Sequence, residues 1–261
     1  MPPDLSPIGA LVRRHDPDRF LTALFAPPAR REALFTLYAV NHELARAREV
    51  ASEPTLALIR LHWWREVAQG ARRRHEVAGP LGDALDAGLI DAADLLGMID
   101  GREAEAEPSI PTLADWRAYV LATAGGLAAA AGRILGADGP ARDRLRALGA
   151  AYGAAGILRS VVPLAHQGVC RLPEDLLGAH GLTPHAVLAD PGTEALHPVR
   201  AALAEEGRRW LTEGAGRLPG GIVAAGLVAT LARRDLGREQ ASPRGLGDRL
   251  AVTLAALRRR P

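Results

Sequence analysis

The sequence predicts an all-α protein, and three observations lead to that class. Hydrophobic residues make up 48% of the 261 residues and aromatic residues only 4%, so Ala and Leu fill most of the core. Both residue types lose little side-chain entropy in a helix. Apolar residues recur at three- and four-residue spacings, and no segment sustains the period of two that is typical of a strand. We therefore expect one helical domain over residues 1–261, with residues 1–14 as a loose N-terminal segment.

The first half of the chain predicts four helical regions. Residues 18–50 carry helical periodicity, which Pro27 and Pro28 interrupt. The stretch "SEP" predicts an N-cap at Ser52 with Pro54 near the first turn of the next helix. Short helices are expected over residues 80–87 and 91–103. The helix after "SEP" places four apolar residues on one stripe, namely Leu56, Ile59, Trp63 and Val67.

The second half begins with a long helix that Thr112 caps and that runs to residue 137. Gly125 and Gly126 lie in its middle, where each glycine costs about 1 kcal/mol relative to Ala. These glycines therefore predict a kink or the close approach of another helix. A further helix over residues 142–162 is expected to stop at Pro163. Three more helices are predicted, at about 198–216, 222–235 and 246–260.

The last of these helices has a leucine stripe and a basic end. We expect the stripe to pack on the bundle, and the terminal arginines suit either a carbonyl-rich helix end or an anionic membrane surface. The stripe consists of Leu246, Leu250, Leu254 and Leu257.

Composition excludes several classes of function. The formal net charge of +2 gives no support to nucleic-acid binding, and all 32 basic residues are arginines. Without lysine, neither a Schiff-base nor a P-loop lysine mechanism is available. Cys170 is the only cysteine, so the chain has no internal disulfide. The longest apolar run, residues 220–232, is shorter than the roughly 20 residues that a membrane-spanning helix needs. We expect a cytoplasmic protein.

Two segments, residues 18–67 and 151–177, resemble the squalene/phytoene synthase family in the order and spacing of their motifs. They read "DRFLTALFAPPARREALFTLYAVNHELARAREVASEP…IRLHWWREV" and "AYGAAGILRSVVPLAHQGVCRLPEDLL". The resemblance covers about residues 15–260 and implies an isoprenoid (trans-prenyl) synthase-like helical bundle. In that family, two D-x-x-x-D motifs on facing helices hold Mg²⁺ ions, which bind the substrate diphosphates and neutralise the leaving group.

The carboxylates of both motifs are largely missing from this chain. The first motif falls on "ARARE", with Ala45 and Glu49 at the aspartate positions, and the second on "SVVPL", with Ser160 and Leu164 there. Glu49 is the only acidic residue at these four positions. The resemblance therefore implies no catalytic and no metal-binding residue, with Mg²⁺ as a cofactor only if the chain is an active enzyme.

One branch of the family, the complex I assembly factor 6-like proteins, has similarly degenerate motifs. Its "A-x-N-x-E-L-A" pattern resembles residues 39–45, and Leu158, Arg159 and Pro163 resemble a second pattern. This implies an inactive accessory protein whose partners are complex I subunits or assembly intermediates, with an isoprenoid or quinone tail as a further ligand. In a bacterium it would sit in the cytoplasm, with at most peripheral contact at the inner face of the cytoplasmic membrane. The alternatives are an active head-to-head prenyl transferase and an isoprenoid-binding protein.

Seven residues are candidates for the lining of the old substrate cavity. Asn41 lies one turn before Ala45, although residues 41–43 could also face solvent at the helix edge. Glu43 either pairs with Arg159 across the cavity or makes a contact within its own helix. Arg159 either binds an anion or neutralises a nearby carboxylate. The seven candidates are Tyr38, Asn41, His42, Glu43, Tyr152, Arg159 and Arg171.

Overall fold

The structure, a computed structural model, describes residues 5–49, 53–238 and 242–261, with the side chain of Glu49 outside that part. Within these ranges the prediction of an all-α protein is confirmed, since the described residues form helices and no β-strand. Ile110 and Pro173 form an isolated β-bridge that is not part of a strand. No helix among the described residues is long and apolar enough to cross a membrane.

The helices follow one another along the chain with short connections. Two short 3₁₀ segments (Ala104–Ala106 and Glu194–Leu196) and a π-helical segment (Leu121–Gly125) lie between them. The α-helices are α1 (Pro7–His15), α2 (Pro17–Ala23), α3 (Pro28–Glu49), α4 (Pro54–Ala68), α5 (Ala78–Asp86), α6 (Ala92–Glu103), α7 (Leu113–Val120), α8 (Gly126–Ile134), α9 (Gly139–Arg159), α10 (Val161–His166), α11 (Glu174–Ala179), α12 (Pro184–Ala189), α13 (His197–Glu213), α14 (Val223–Gly226), α15 (Val228–Leu236) and α16 (Leu246–Arg258).

The expectation of a loose N-terminal segment is wrong for residues 7–14, which belong to α1. The side-chain oxygen of Ser6 accepts a hydrogen bond from the Gly9 N–H at 3.0 Å, and Pro7 occupies the first turn. Ile8 and Val12, one turn apart, are buried against the bundle. The cap and this apolar pair were visible in the sequence and signal a packed helix.

Helix α4 begins at Pro54 as expected, but the cap and the buried stripe differ from the prediction. Glu53 is the N-cap residue and makes no side-chain cap hydrogen bond, while Ser52 lies outside the described residues. Leu56 and Ile59 are 43% and 59% exposed, so the predicted stripe is wrong at its N-terminal end. Tertiary packing selects the other face, whose buried residues include Ala57, Leu61 and Trp64.

The central helix α7–α8 confirms the prediction made from its glycines. Residues 121–125 form a π-helical segment, and a π-bulge is a frequent feature of functional sites. A Cβ on Gly125 would lie 2.9 Å from the backbone oxygen of Arg146, which shows that α9 approaches here closely. The irregular helical geometry and the close approach of α9 therefore occur together at these glycines.

Helix α9 is the centre of the bundle and contacts α8, α13, α15 and the π-helical segment. It ends at Arg159 with Ser160 as its C-cap, so the predicted helix end before Pro163 is wrong. Pro163 instead lies in the first turn of α10. The missing N–H of a proline is tolerated there, because the first N–H groups of a helix have no intrahelical acceptor. Ser160 is the residue between α9 and α10, where the first helix ends and the second begins.

Helix α16 packs on the bundle through a face other than the predicted one. Its buried residues are Asp248, Val252, Ala255 and Ala256. The leucine stripe points outward, so the expectation that it packs on the bundle is wrong. Its members are Leu246, Leu250, Leu254 and Leu257, which are 77%, 63%, 47% and 76% exposed.

Candidate functional site

A cavity of about 420 Å³, here called the first cavity, lies between α3, the central helix, α9 and α10. It contains the described positions of both degenerate motifs, because Ala45 of α3 lines it together with Ser160 and Leu164. Glu49 was the one retained acid, and its side chain lies outside the described part. The lining consists of Arg19, Asn41, Ala45, Arg48, Arg102, Glu105, Tyr119, Val120, Thr123, Ala124, Tyr152, Gly153, Gly156, Ile157, Ser160, Leu164, Gln167, Val169 and Arg171.

The charged side chains of this lining are mostly cations. Among the described residues, Arg19, Arg48, Arg102 and Arg171 contribute guanidinium groups and Glu105 contributes a carboxylate. A cavity that binds Mg²⁺ requires the opposite balance, since hard cations prefer several carboxylate oxygens. The charged side chains described around the first cavity therefore do not favour a divalent cation.

Glu105 connects three elements around the cavity and is itself buried. Arg102 of α6 and the hydroxyl of Tyr119 of α7 both donate to Glu105 Oε1. Arg102 Nη2 also donates to Oδ1 of Asn41 at 3.3 Å, which links this network to α3. Burial, together with the negative charge of Glu105, raises the pKa of Tyr119 above its usual range. Tyr119 therefore stays protonated and serves as a hydrogen-bond donor.

Arg171 closes the cavity from the loop after α10, and this side chain is buried. Its Nη2 donates to the backbone oxygen of Glu105 at 2.9 Å and its Nη1 to that of Glu107 at 3.2 Å. Cys170 beside it is also buried, and burial raises the pKa of its thiol. A protonated, buried thiol is unreactive, so Cys170 is a packing residue.

Tyr152 and Arg19 form the opposite wall of the cavity. The Tyr152 hydroxyl donates to Asp18 Oδ2 at 2.8 Å, and burial raises the pKa of Tyr152. The guanidinium of Arg19 lies over the Tyr152 ring, 4.9 Å from its centroid, and pairs with Asp16 at 2.7 Å. Arg19 is thus compensated by a carboxylate next to the cavity.

Four other candidate residues lie outside this lining. Tyr38 is buried, and burial raises its pKa. His42 stacks on His15 with ring centroids 4.4 Å apart, and burial followed by the charge of His15 lowers the pKa of His42. Glu43 pairs with Arg46 at 3.1 Å within its own helix. Arg159 borders a different cavity and pairs with Asp235 at 3.3 Å, so the structure does not bring it to Glu43.

The donor set of the first cavity does not suit Mg²⁺. Among residues 5–49, 53–238 and 242–261, no three His, Cys, Asp or Glu side chains lie close enough together to hold a metal ion. Glu105 already accepts from Arg102 and Tyr119. The motif positions Ala45 and Leu164 have no donor atom in their side chains, and a serine hydroxyl at 160 is a weak substitute for a carboxylate.

Sequence reasoning missed Glu105, Arg102 and Tyr119. Glu105 lies in "EAEAEPSIPT", a stretch whose composition indicates a polar loop. It is 64 residues from Asn41 and 14 from Tyr119 in the chain, and no short motif connects these positions. The sequence predicts a helix that ends at residue 103, with acidic residues after it. Whether those carboxylates point into the bundle depends on the tertiary fold.

The family profile described as Squalene/phytoene synthase matches residues 12–256. Complex I assembly factor 6 from Homo sapiens is 34% identical over 59 residues, which are 23% of this chain and 18% of that protein. The Bos taurus counterpart is 36% identical over 56 residues, 22% of this chain and 17% of that protein. Each match therefore spans less than a fifth of the relative's length.

Two solved structures share the fold along most of the chain. The squalene synthase HpnC from Alicyclobacillus acidocaldarius has a TM-score of 0.71 at 18% identity, covering 88% of this chain and 90% of its own. A dehydrosqualene synthase in complex with ligand has a TM-score of 0.78 at 14% identity, covering 96% and 94%. At these identities the likeness establishes an isoprenoid synthase fold.

Proposed function

The chain belongs to the squalene/phytoene synthase family, and from that premise we propose that it is a non-catalytic member that assists the assembly of respiratory complex I. The observation that carries the loss of catalysis is the exchange of charge in the first cavity. Ala45, Ser160 and Leu164 stand at the motif positions, and arginines line the space between them. The family's fold and cavity are retained, while the donor set is not.

The exchange of charge removes the main assistance to prenyl transfer. Departure of an allylic diphosphate develops negative charge on the leaving group, and groups arranged in advance to neutralise it usually make the largest contribution to catalysis. Free guanidinium groups could neutralise a diphosphate in place of a metal. Arg102 and Arg19, however, are already paired with Glu105 and Asp16, so they are poorly placed to do so.

The assembly role is supported by the matches to complex I assembly factor 6, which are local and therefore leave this role a proposal. A cavity of about 420 Å³ remains in the fold. Val120, Ile157 and Leu164 supply apolar surface in its wall. Such a cavity suits a prenyl chain, for example a quinone tail, held without chemical change.

Contact with a membrane surface is part of the same proposal, and the exposed leucine stripe of α16 supports it. Leucines at spacings of four, four and three residues lie on one side of a helix. Arg249 and Arg258 flank the stripe, and Arg260 follows it, all three exposed. Asp248, the acid of α16, is buried. Apolar residues bordered by cations are complementary to an anionic bilayer surface.

A deletion strain of the source organism tests the proposed function with two readouts. Loss of the gene is expected to lower NADH:quinone oxidoreductase activity and the amount of assembled complex I on native gels, while squalene and phytoene products stay unchanged. Complementation with the wild-type gene controls for effects on neighbouring genes. Normal complex I in the deletion strain contradicts the assembly role, and loss of a C30 or C40 hydrocarbon contradicts the absence of catalysis.

A further inference from the structure

A second cavity, of about 380 Å³, lies between α9, α13 and the end of α15. On α9 it is lined by Ala155, Leu158 and Arg159. Ala155 and Leu158 lie on another face of that helix than Gly156 and Ser160 of the first cavity, while Arg159, two turns after Tyr152, lies at the border between the two faces. The two cavities share none of the lining residues that the structure describes, and binding of a ligand in the second does not depend on the proposed function.

The charged side chains around the second cavity do not balance. Among the described residues, four arginines (159, 200, 208 and 238) and His197 line it, together with one carboxylate, that of Asp235. Outside the lining, Glu205 pairs with Arg208 and Asp248 with Arg238. Asp235 is also the partner of Arg244, which donates to both of its oxygens at 2.7 and 2.8 Å. The negative charge inside this cavity is therefore shared with a cation outside it.

Arg200 is the least compensated of these cations. Among the described residues, no carboxylate lies within ion-pair distance of it, and its hydrogen bond goes to the backbone oxygen of Pro191 at 3.5 Å. Burial lowers the pKa of Arg200, and no neighbouring charge opposes that effect. A partly desolvated guanidinium without a counter-charge is unfavourable, and an anion in the cavity would stabilise it.

Arg159 gives an independent indication from the opposite wall. Its Nε is buried and has no hydrogen-bond partner among the described residues, while its Nη1 contacts Asp235 at 3.3 Å. Buried polar atoms in folded proteins nearly always have a partner, so the unpaired Nε shows that the hydrogen-bonding capacity of Arg159 is not filled by the described residues. Arg159 and Arg200 thus border the same space from α9 and from α13, the first with an unpaired Nε and the second without a carboxylate partner among the described residues.

We propose that the second cavity binds a small soluble anion of the phosphate class, either inorganic or carried by an organic diphosphate. Guanidinium groups present planar forks of N–H donors that match phosphate oxygens. Arg200 and Arg208 are eight residues apart on α13, so their Cα atoms are about 12 Å apart along the helix axis. Side chains converging from that distance suit an anion with more than one charged group.

Isothermal titration of the purified full chain with pyrophosphate, phosphate and ADP, at constant ionic strength, tests this proposal. Saturable binding of pyrophosphate is expected, with an increase in melting temperature. Arg200→Gln should weaken the affinity about tenfold or more, because a charge-assisted hydrogen bond contributes about 1.5–3 kcal/mol. Arg200→Lys keeps the charge and loses the planar fork of N–H donors. Its affinity for pyrophosphate should lie between those of the wild type and Arg200→Gln. Comparison of pyrophosphate with ADP shows whether the preferred diphosphate is free or organic.

Two control variants locate the site. Arg209→Gln changes an arginine of the same helix that is 55% exposed and outside the second cavity, and it should leave the affinity unchanged. Arg48→Gln changes the first cavity and should also have no effect. If Arg200→Gln fails to fold, Arg208→Gln replaces it, because that side chain is exposed and its loss also weakens binding. No saturable binding by any of the anions, or binding lost with Arg48→Gln and kept with Arg200→Gln, would overturn the proposal.

Discussion

The two cavities that α9 helps to line are both rich in arginine, but they differ in how the cations are compensated. In the first cavity, Arg102 pairs with Glu105, Arg19 pairs with Asp16, and Arg171 donates to two backbone oxygens. In the second, Arg200 has no carboxylate partner among the described residues. The number of arginines around a cavity therefore does not indicate an anion site. A cation without a counter-charge does indicate such a site. Substitutions that remove a cation or its counter-charge test this difference between the two cavities.

The largest expected effect comes from removing the compensating carboxylate of the first cavity. Glu105→Gln leaves Arg102 buried without a counter-charge, and breaking a buried ion pair in this way costs about 3 kcal/mol. Urea denaturation monitored by circular dichroism measures the loss in unfolding free energy. Glu107→Gln, an exposed residue two positions away, is the matched control and should change stability by less than about 0.5 kcal/mol. Equal effects of the two variants would show that the Glu105 network does not stabilise the fold.

A smaller effect is expected from Asp248, which compensates Arg238 of the second cavity at 3.1 Å. Burial of Asp248 acts to raise its pKa, but the Gly245 N–H, Arg234 and Arg238 together lower it to about 2. The unfolded value is higher, about 3.9, so this carboxylate stabilises the fold above that pH. Its contribution of about 2 kcal/mol is lost progressively as the pH falls from about 5 to 2.

Asp248→Asn should therefore lower stability at neutral pH and flatten its dependence on pH over that range. Urea denaturation at a series of pH values measures both changes. The same substitution releases Arg238, so it should also strengthen pyrophosphate binding in the second cavity. An unchanged pH dependence would contradict the assigned role of Asp248.

A direct contrast between the cavities comes from one substitution in each. Arg102→Gln leaves Glu105 without its cation and should cost about 2 kcal/mol or more. Arg200→Gln removes an uncompensated cation and, without ligand, should change stability by no more than about 0.5 kcal/mol in either direction. Denaturation curves in phosphate-free buffer measure the change in unfolding free energy for each of the two variants. A loss of similar size at Arg200 would mean that this arginine is compensated after all.

The smallest effect on stability is expected at the leucine stripe, outside both cavities. Leu250→Gln and Leu254→Gln change side chains that are 63% and 47% exposed, so the unfolding free energy should stay within about 0.5 kcal/mol. Co-sedimentation with phosphatidylglycerol-containing vesicles should instead fall about tenfold for each leucine, since burying one contributes about 1.5–3 kcal/mol. Vesicles of phosphatidylcholine alone are the control. Unchanged co-sedimentation of both variants contradicts membrane contact through α16.

Much of the fold could be predicted because it depends on local signals. Pro27 and Pro28 mark the start of α3, Thr112 caps the central helix, and Gly125 marks the close approach of α9. The apolar stripes of α4 and α16 were correctly recognised as helical. Which face of a helix is buried depends on neighbours that are distant in the sequence, and so the prediction failed for Ile59 and for the leucines of α16.

The site was predictable only in part, for the same physical reason. The motif spacing identified Ala45, Ser160 and Leu164, which the structure brings to one cavity. The compensating network around Glu105 joins α3, α6 and α7, and its members share no motif. The unpaired state of Arg200 is a property of the three-dimensional surroundings, because sequence does not show which carboxylates lie near an arginine.

The central claim is that the first cavity keeps the family's shape without its metal chemistry. Incubation of the purified chain with farnesyl or geranylgeranyl diphosphate and Mg²⁺ tests it most directly, with a dehydrosqualene synthase as the positive control. Pyrophosphate release and the hydrocarbon fraction are measured together. The account predicts no release above the protein-free background and no C30 or C40 product. Mg²⁺-dependent release of pyrophosphate with formation of such a product would contradict it.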